Sequence, residues 1–230
     1  MLRAVVAPFL RVAAAVAVIV LVSGTGEAQS PPQPPAGDFP RFEIAVLGGY
    51  RFESTLTFQN AASPYDRVEI DDAPTWGITL GWNHGPSSEL EIQYSYARPK
   101  ATAIAKGSGA PTGTFDIGIN DIQLAWVGNL YRPQDTVRPY FGLGLGATLL
   151  DTNQSLGSDT KVSLSISAGV KVYLGGHVGL RAEVHYVPAY LYTTKDGVVW
   201  CFYGAGGSCW NTGDRYLQQL DLRAGATFRF

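Results

Sequence analysis

Glu43, Glu89, Glu91, Asp121, Lys171, Arg181, Glu183, His185, Asp221, Arg223 and Arg229 all sit at alternate positions of otherwise apolar segments. Mixed acids and bases on one face can do two kinds of chemistry. They can pass protons as general acids and bases, or they can hold one another through charge-assisted hydrogen bonds. Glu183 and His185 are two residues apart, which is one face of a strand. An acid beside a histidine is also part of a nucleophile-activating relay. The nucleophile is missing from that face: His185 is followed by Tyr186 and Val187, and His177 by Val178 and Gly179. Ser163, Ser165 and Ser167 in the preceding segment could approach, but as small residues they suit the role of fillers. The reading is therefore a buried charge network of Glu43, Asp121, Lys171, Arg181, Glu183, Asp221 and Arg223. A gated path for protons or small ions is the competing reading.

Other chemistries find little support. Two cysteines cannot supply a four-ligand zinc site. No glycine-rich loop follows a strand and opens a helix, so no phosphate-binding motif is present. No catalytic, cofactor-binding or metal residue is assigned, and no cofactor is expected. A formal charge of −2 gives no basic footprint for a nucleic-acid partner.

The segments that carry these charges alternate with period two, the signature of strands. Residues 41–51 set Phe42, Ile44, Val46 and Tyr50 against Glu43, Ala45, Gly49 and Arg51. Residues 75–83, 89–97, 119–130, 139–150, 161–174, 177–187 and 216–230 repeat the pattern, making eight strands. Ile117 and Ile119 are out of phase with Ile122, which predicts a bulge there. Only 16% of residues are charged, and glycine is frequent (27 residues). The polar parity carries Gly142, Gly144 and Gly146, which suit a crowded narrow lumen better than a wet surface. The apolar parity bears Tyr50, Trp76, Trp82, Tyr96 and Phe230 near segment ends, as in membrane-interface girdles. Connections alternate strictly: 52–74, 98–114, 151–160 and 188–215 are long, and those between them are short. Short turns on one side and long loops on the other characterise membrane barrels. The predicted fold is all-β, an eight-stranded antiparallel up-and-down transmembrane β-barrel over residues 41–230. A secreted lipocalin-like binder is the structural alternative.

The N-terminus reads as a secretory signal over residues 1–28. Arg3 and Arg11 precede or open an apolar run, Val12–Val22, and Gly26 and Ala28 form a small-residue cleavage site. Residues 29–40 (QSPPQPPAGDFP) read as a proline-rich linker.

The chain ends Arg223-Ala-Gly225-Ala-Thr-Phe228-Arg-Phe230. This resembles the C-terminal β-signal of bacterial outer-membrane proteins, with Arg223, Gly225, Phe228 and Phe230 at the motif positions. Asn129-Leu-Tyr131, Arg138-Pro-Tyr140-Phe-Gly142-Leu-Gly144-Leu-Gly146 and Val178-Gly-Leu180-Arg181-Ala-Glu183-Val184 are similar to small eight-stranded outer-membrane barrels of the OmpA-like and opacity type. The resemblance covers 41–230, lacks a C-terminal peptidoglycan-binding domain, and implies little about activity. It implies a Gram-negative outer-membrane location, outer-membrane lipid as surroundings and the barrel assembly machinery as a partner during biogenesis. Some barrels of this size are lipid A deacylases or acyltransferases; the His-x-Ser pattern of the deacylases is absent, so no enzyme is expected.

The last long connection combines Trp200, Phe202, Tyr203 and Trp210 with Cys201 and Cys209. An even cysteine count in an exported chain predicts a disulfide. The aromatics read as packing over the barrel mouth, with anchoring of a surface ligand as the alternative. The expected protein is a plugged monomer with a structural or surface-interaction role through its extracellular loops. A lipid A-modifying enzyme and a low-conductance pore remain the functional alternatives.

Overall fold

Apolar side chains at every second position, with few residues that break a ladder, give long strands. The computed structural model describes residues 40–57, 65–85, 87–130, 136–152, 158–174, 176–191, 198–202, 208–212 and 216–230. The expected signal and most of the expected linker lie outside the described residues. Among those described, thirteen strands follow one another: β1 (Phe42–Glu53), β2 (Leu56–Thr57), β3 (Tyr65–Ile70), β4 (Ala73–Gly85), β5 (Ser88–Ala97), β6 (Lys100–Ala105), β7 (Pro111–Asn129), β8 (Val137–Thr152), β9 (Ser158–Tyr173), β10 (Val178–Tyr190), β11 (Val198–Phe202), β12 (Ser208–Thr212) and β13 (Tyr216–Arg229).

Eight of these close into an antiparallel barrel in the order β4-β1-β13-β10-β9-β8-β7-β5, with β5 returning to β4. Closure joins the first strand to the last: β1 pairs with β13 from Glu43↔Arg229 to Glu53↔Gln219. Closing the sheet leaves no unpaired edge inside the hydrocarbon, where an unsatisfied backbone group costs several kcal/mol.

The expected faces are observed. Leu124 (52% exposed), Ile92 (53%) and Leu145 (60%) point outward, while Lys171 and Glu91 inside are at 0%. Such an outward apolar surface is soluble only in lipid. Leu124 pairs with Ile92 and Leu145 on its two neighbours, in the middle of this band. Leu124→Arg should therefore cost about 2–4 kcal/mol, measured by equilibrium urea unfolding in lipid vesicles. The same change at Asn120, nearer the extracellular rim, should cost less.

Aromatic residues ring the band. Trp82 and Trp126 lie toward the end with short turns, where Trp126 Nε1 donates to Ser88 Oγ at 3.0 Å. Trp76 packs on Tyr94 and Tyr96 at the other end, with ring centroids 5.5 and 6.2 Å apart. Their polar tips reach toward water while their rings stay in the apolar layer.

Three sequence expectations are corrected. There is no bulge at 117–119: β7 keeps register with β8 from Ile117↔Thr152 to Asn129↔Tyr140. Ile117 and Ile119 face inward together with Asp121 and Gln123, and are 1% and 0% exposed. The phase of the strand is constant; what changes is the solvent outside it. Above Asn120 the barrel leaves the bilayer, and the soluble-protein rule of apolar inside and polar outside returns. Second, the long connections at 52–74 and 98–114 are not plain loops. They hold β2, β3 and β6, which extend the β7 edge as a sheet in the order β2-β3-β6-β7. Leu56, Val68, Ile70 and Ala101 of this extension pack with Ile117, Ile119, Leu150 and Leu217 into an apolar core above the charged lumen. The third external connection is shorter than expected, because β8 runs to Thr152 and β9 starts at Ser158.

Candidate functional site

The glycines of β8 explain how charged side chains fit in so narrow a lumen. Gly142, Gly144 and Gly146 stand directly opposite Ser167, Ser165 and Ser163 of β9. A Cβ on Gly142 or Gly144 would fall on the hydroxyl of the facing serine. Across the barrel, a Cβ on Gly81 would fall on the Glu89 carboxylate, and one on Gly169 would crowd the Tyr140 hydroxyl. Small residues on one strand thus make room for long ones from another.

Two clusters fill that room. In the lower one, Lys171 Nζ lies 2.7 Å from both Glu43 and Glu89 and 3.4 Å from Glu91. Arg181 grips Glu91 with both terminal nitrogens, at 2.7 and 3.0 Å, and its Nε donates to Glu183 at 2.8 Å. Arg223 donates to the other Glu183 oxygen. Tyr140 donates its hydroxyl proton to Glu183 and accepts from Arg181 Nε at 2.8 Å. In the upper cluster, Arg51 binds Asp221 through Nε at 2.6 Å and Nη2 at 2.9 Å. It also reaches Asp121 at 2.8 Å and Gln219 at 2.6 Å. Thr148 donates to Asp121 at 2.6 Å.

The structure thus brings Glu43, Lys171, Arg181, Glu183 and Arg223 together at one level, and Asp121 with Asp221 at another. The clusters meet at the 3.8 Å approach of Arg223 to Asp221. The expected proximity of Asp221 and Arg223 to Glu43 is not found. Glu43 pairs instead with Lys171 and Tyr173, because its cross-strand neighbour on β13 is Arg229. Arg51, Tyr140 and Tyr173 are network members that charge alternation alone passed over. Arg51 was legible, since it shares the parity of Glu43. The tyrosines were not, because a tyrosine in a barrel strand suits the girdle equally well.

Among the described residues, the lumen histidine is not joined to a nucleophile. His185 Nδ1 stands 3.8 Å from Asp221, and neither ring nitrogen is hydrogen-bonded. Ser167 is its cross-strand neighbour, yet no His–Ser bond forms. Ser163 accepts from Gln123 at 2.6 Å. Glu43, Glu89 and Glu91 offer carboxylate oxygens within 4.8 Å of one another, a spacing that could hold a metal ion. The Lys171 ammonium already sits among them. Tyr140→Phe, which removes a hydroxyl shared by Arg181 and Glu183, should cost about 1–2 kcal/mol in urea unfolding and leave the barrel closed.

The terminal motif is split by the fold. Arg223 is inside; Phe228 and Phe230 face outward, and Phe230 exchanges backbone hydrogen bonds with Phe42 at 2.8 and 3.2 Å. Of the loop residues, Trp200, Cys201, Phe202, Cys209 and Trp210 lie on the β11–β12 hairpin, with Trp200↔Trp210 and Cys201↔Cys209 as facing pairs of its register. Tyr203 lies outside the described residues.

The family model described as outer membrane protein beta-barrel domain matches residues 14–230. The chain belongs to this family. It is an outer-membrane β-barrel protein of the Gram-negative type. Two solved structures are similar to this outer-membrane barrel. One is the neisserial surface protein NspA, with TM-score 0.55 and 15% identity, covering 82% of this chain and 97% of that one. The other is the outer membrane protein OprG from Pseudomonas aeruginosa, with TM-score 0.60 and 14% identity, covering 84% and 97%. At this identity the likeness establishes the fold. No curated protein matches the chain.

Proposed function

We propose that this outer-membrane barrel is a plugged, monomeric, non-catalytic platform that meets its surroundings through its extracellular strands and loops. The observation that carries this is an asymmetry. Charged lumen side chains are tied to one another across the interior, while the elaboration lies beyond the membrane. The external connections bear β2, β3, β6 and the β11–β12 hairpin; the described periplasmic turns bear no strand. Two lines of experiment test the reading. Purified protein in planar bilayers should give no conductance above the lipid baseline. Replacing residues 192–214 by a short turn should leave heat-dependent gel mobility intact, as expected if the external hairpin serves surface contacts and not barrel closure. Steady channels, or a lipid-modifying activity lost in His185→Ala, would overturn it.

Three finer features belong to the same reading. Residues 1–28 are a signal peptide, so the mature N-terminus found by mass spectrometry should be Gln29. Arg223, Gly225, Phe228 and Phe230 serve as the β-signal read by the assembly machinery, supported by their spacing of polar residue, glycine and two aromatics along β13 and the residue that follows it. Cys201 and Cys209 form a disulfide, supported by their facing register on β11 and β12. By the loop-entropy model it stabilises the hairpin by about 2–3 kcal/mol. Protein from whole cells should therefore resist thiol alkylation until reduced, and Cys201→Ser should make the hairpin more sensitive to protease.

A further inference from the structure

Glu53, the last residue of β1, is an acid that the upper cluster leaves unanswered. It follows Arg51 on the inward face, and its side chain is fully buried. Neither carboxylate oxygen has a hydrogen-bond partner. The cation beside it, Arg51, stands 3.9 Å away and is committed elsewhere. Arg51 donates to Asp221 from Nε and Nη2, to Gln219 from Nη1 and to Ser95 from Nη2, and it lies 2.8 Å from Asp121. The charged groups on the surrounding elements do not answer Glu53 either. Asp221 on β13 and Asp121 on β7 are like charges that share Arg51. Asp72, just before β4, accepts from the Glu53 backbone N–H at 3.2 Å and adds a third carboxylate. His185 on β10 lies 3.8 Å from Asp221, and Arg223 is bonded to Glu183. Lys161 on β9 faces Thr148 of β8 and has interactions of its own. Beyond Glu53 the surroundings turn apolar. Leu217, the next inward residue of β13, and Leu56, which opens β2, both belong to the core packed by β2, β3 and β6.

Glu53 lies beyond Tyr50 and its girdle, on the extracellular side of the bilayer. A carboxylate held out of water, among like charges and without a donor, is strongly disfavoured in its ionised form. The group answers this by keeping its proton. When the overlying structure opens and water arrives, the acid ionises in the ordinary glutamate range, near pH ~4.3. Closed and open forms then differ by one bound proton. We propose that Glu53 is a proton-binding site that locks the extracellular cap, the β2-β3-β6 sheet with its apolar core. The cap is closed with the proton bound and loosens as the outside medium turns alkaline. Below the ordinary glutamate range both forms carry the proton, and the stabilisation is complete. As pH rises, only the open form loses it, so opening becomes about tenfold more favourable per pH unit. The gain ends where the closed form ionises too.

The test uses the full mature chain refolded in phospholipid vesicles. Hydrogen exchange of peptides covering β3 and β6 is followed by mass spectrometry from pH ~5 to pH ~9 in the wild type and in Glu53→Gln. Hydroxide catalysis quickens exchange in both proteins alike, and the ratio of their rates cancels it. The ratio of wild-type to variant rate should rise about tenfold per pH unit from the acid end of this range. The same ratio for the mid-barrel stretch Ile122–Trp126 should stay flat. The infrared carbonyl band of protonated carboxylic acids at neutral pH should be weaker in Glu53→Gln by one group. These results support the proposal. A cap ratio independent of pH, or an unchanged infrared band, overturns it. So does a ratio that falls as pH rises, because that is the behaviour of an ionised Glu53 stabilising the cap. If Glu53→Gln does not refold, Glu53→Met, also uncharged and of similar length, takes its place with the same readings. If neither uncharged variant refolds, the fold requires the ionised acid and the proposal fails.

Discussion

Arg181→Met should destabilise the barrel by about 3–5 kcal/mol, the cost of breaking a buried pair from one side. Arg181 is 1% exposed and is the hinge of the lower cluster. It makes a two-pronged bond to Glu91, a bond to Glu183 and one to Tyr140. Removing it leaves Glu91 with Lys171 at 3.4 Å and Gln93 at 2.6 Å, neither of which replaces a bidentate guanidinium. The check is urea unfolding in vesicles, read together with the temperature at which the compact gel form is lost. Adding Glu91→Gln should recover part of the loss, because it removes the stranded charge. If the single variant costs less than about 1 kcal/mol, the level of an exposed pair, the lumen is wetter than the side-chain geometry implies and the plug reading fails. Arg67, paired with Glu69 on the outer strand β3 with both side chains well exposed, supplies the comparison. Its loss should leave stability little changed.

The extent to which this protein is legible from sequence depends on which solvent each residue meets. Within the bilayer the two faces of every strand are chemically opposed. Period two therefore identified the barrel, its faces and most of the charged residues inside. Ile117 and Ile119 show where that reading fails. Their parity is that of Asp121, but apolar side chains at inward positions mimic a phase change. Only the place where β7 leaves the lipid distinguishes a bulge from a change of solvent. The extension β2-β3-β6 was missed for a related reason. Tyr65–Ile70 and Lys100–Ala105 are short, and their apolar residues are small or few. Their strand character comes from pairing along β7 and from covering Ile117 and Ile119, which is tertiary information. The division of the network into two levels was likewise illegible. Alternation gives the face of a residue, but its height depends on the stagger between strands. That stagger sets Glu43 opposite Arg229 and Arg51 opposite Asp221.

The seam where the chain closes on itself should tolerate little change. Gly225→Val should prevent closure and abolish the heat-modifiable form, at a cost of about 4 kcal/mol or more. Gly225 of β13 faces Leu47 of β1. A Cβ at this position would fall inside contact distance of the Val46 carbonyl oxygen and the Leu47 Cα, both of them backbone. No rotamer relieves such a clash; the strands must move apart, breaking ladder bonds that have no water to replace them. Gly49, across the same seam, has the reciprocal problem against Leu222 and Arg223. Gly48, its neighbour in sequence, meets nothing within 4 Å and faces lipid. Gly48→Ala should therefore leave closure intact, which separates crowding at the seam from a general need for glycine in β1. Because Gly225 also lies in the terminal motif, failure of Gly225→Val in cells would not distinguish closure from recognition. Refolding the purified chain into vesicles without the assembly machinery does distinguish them. If Gly225→Val folds there as readily as the wild type, the glycine serves recognition; if it does not, the seam requires it.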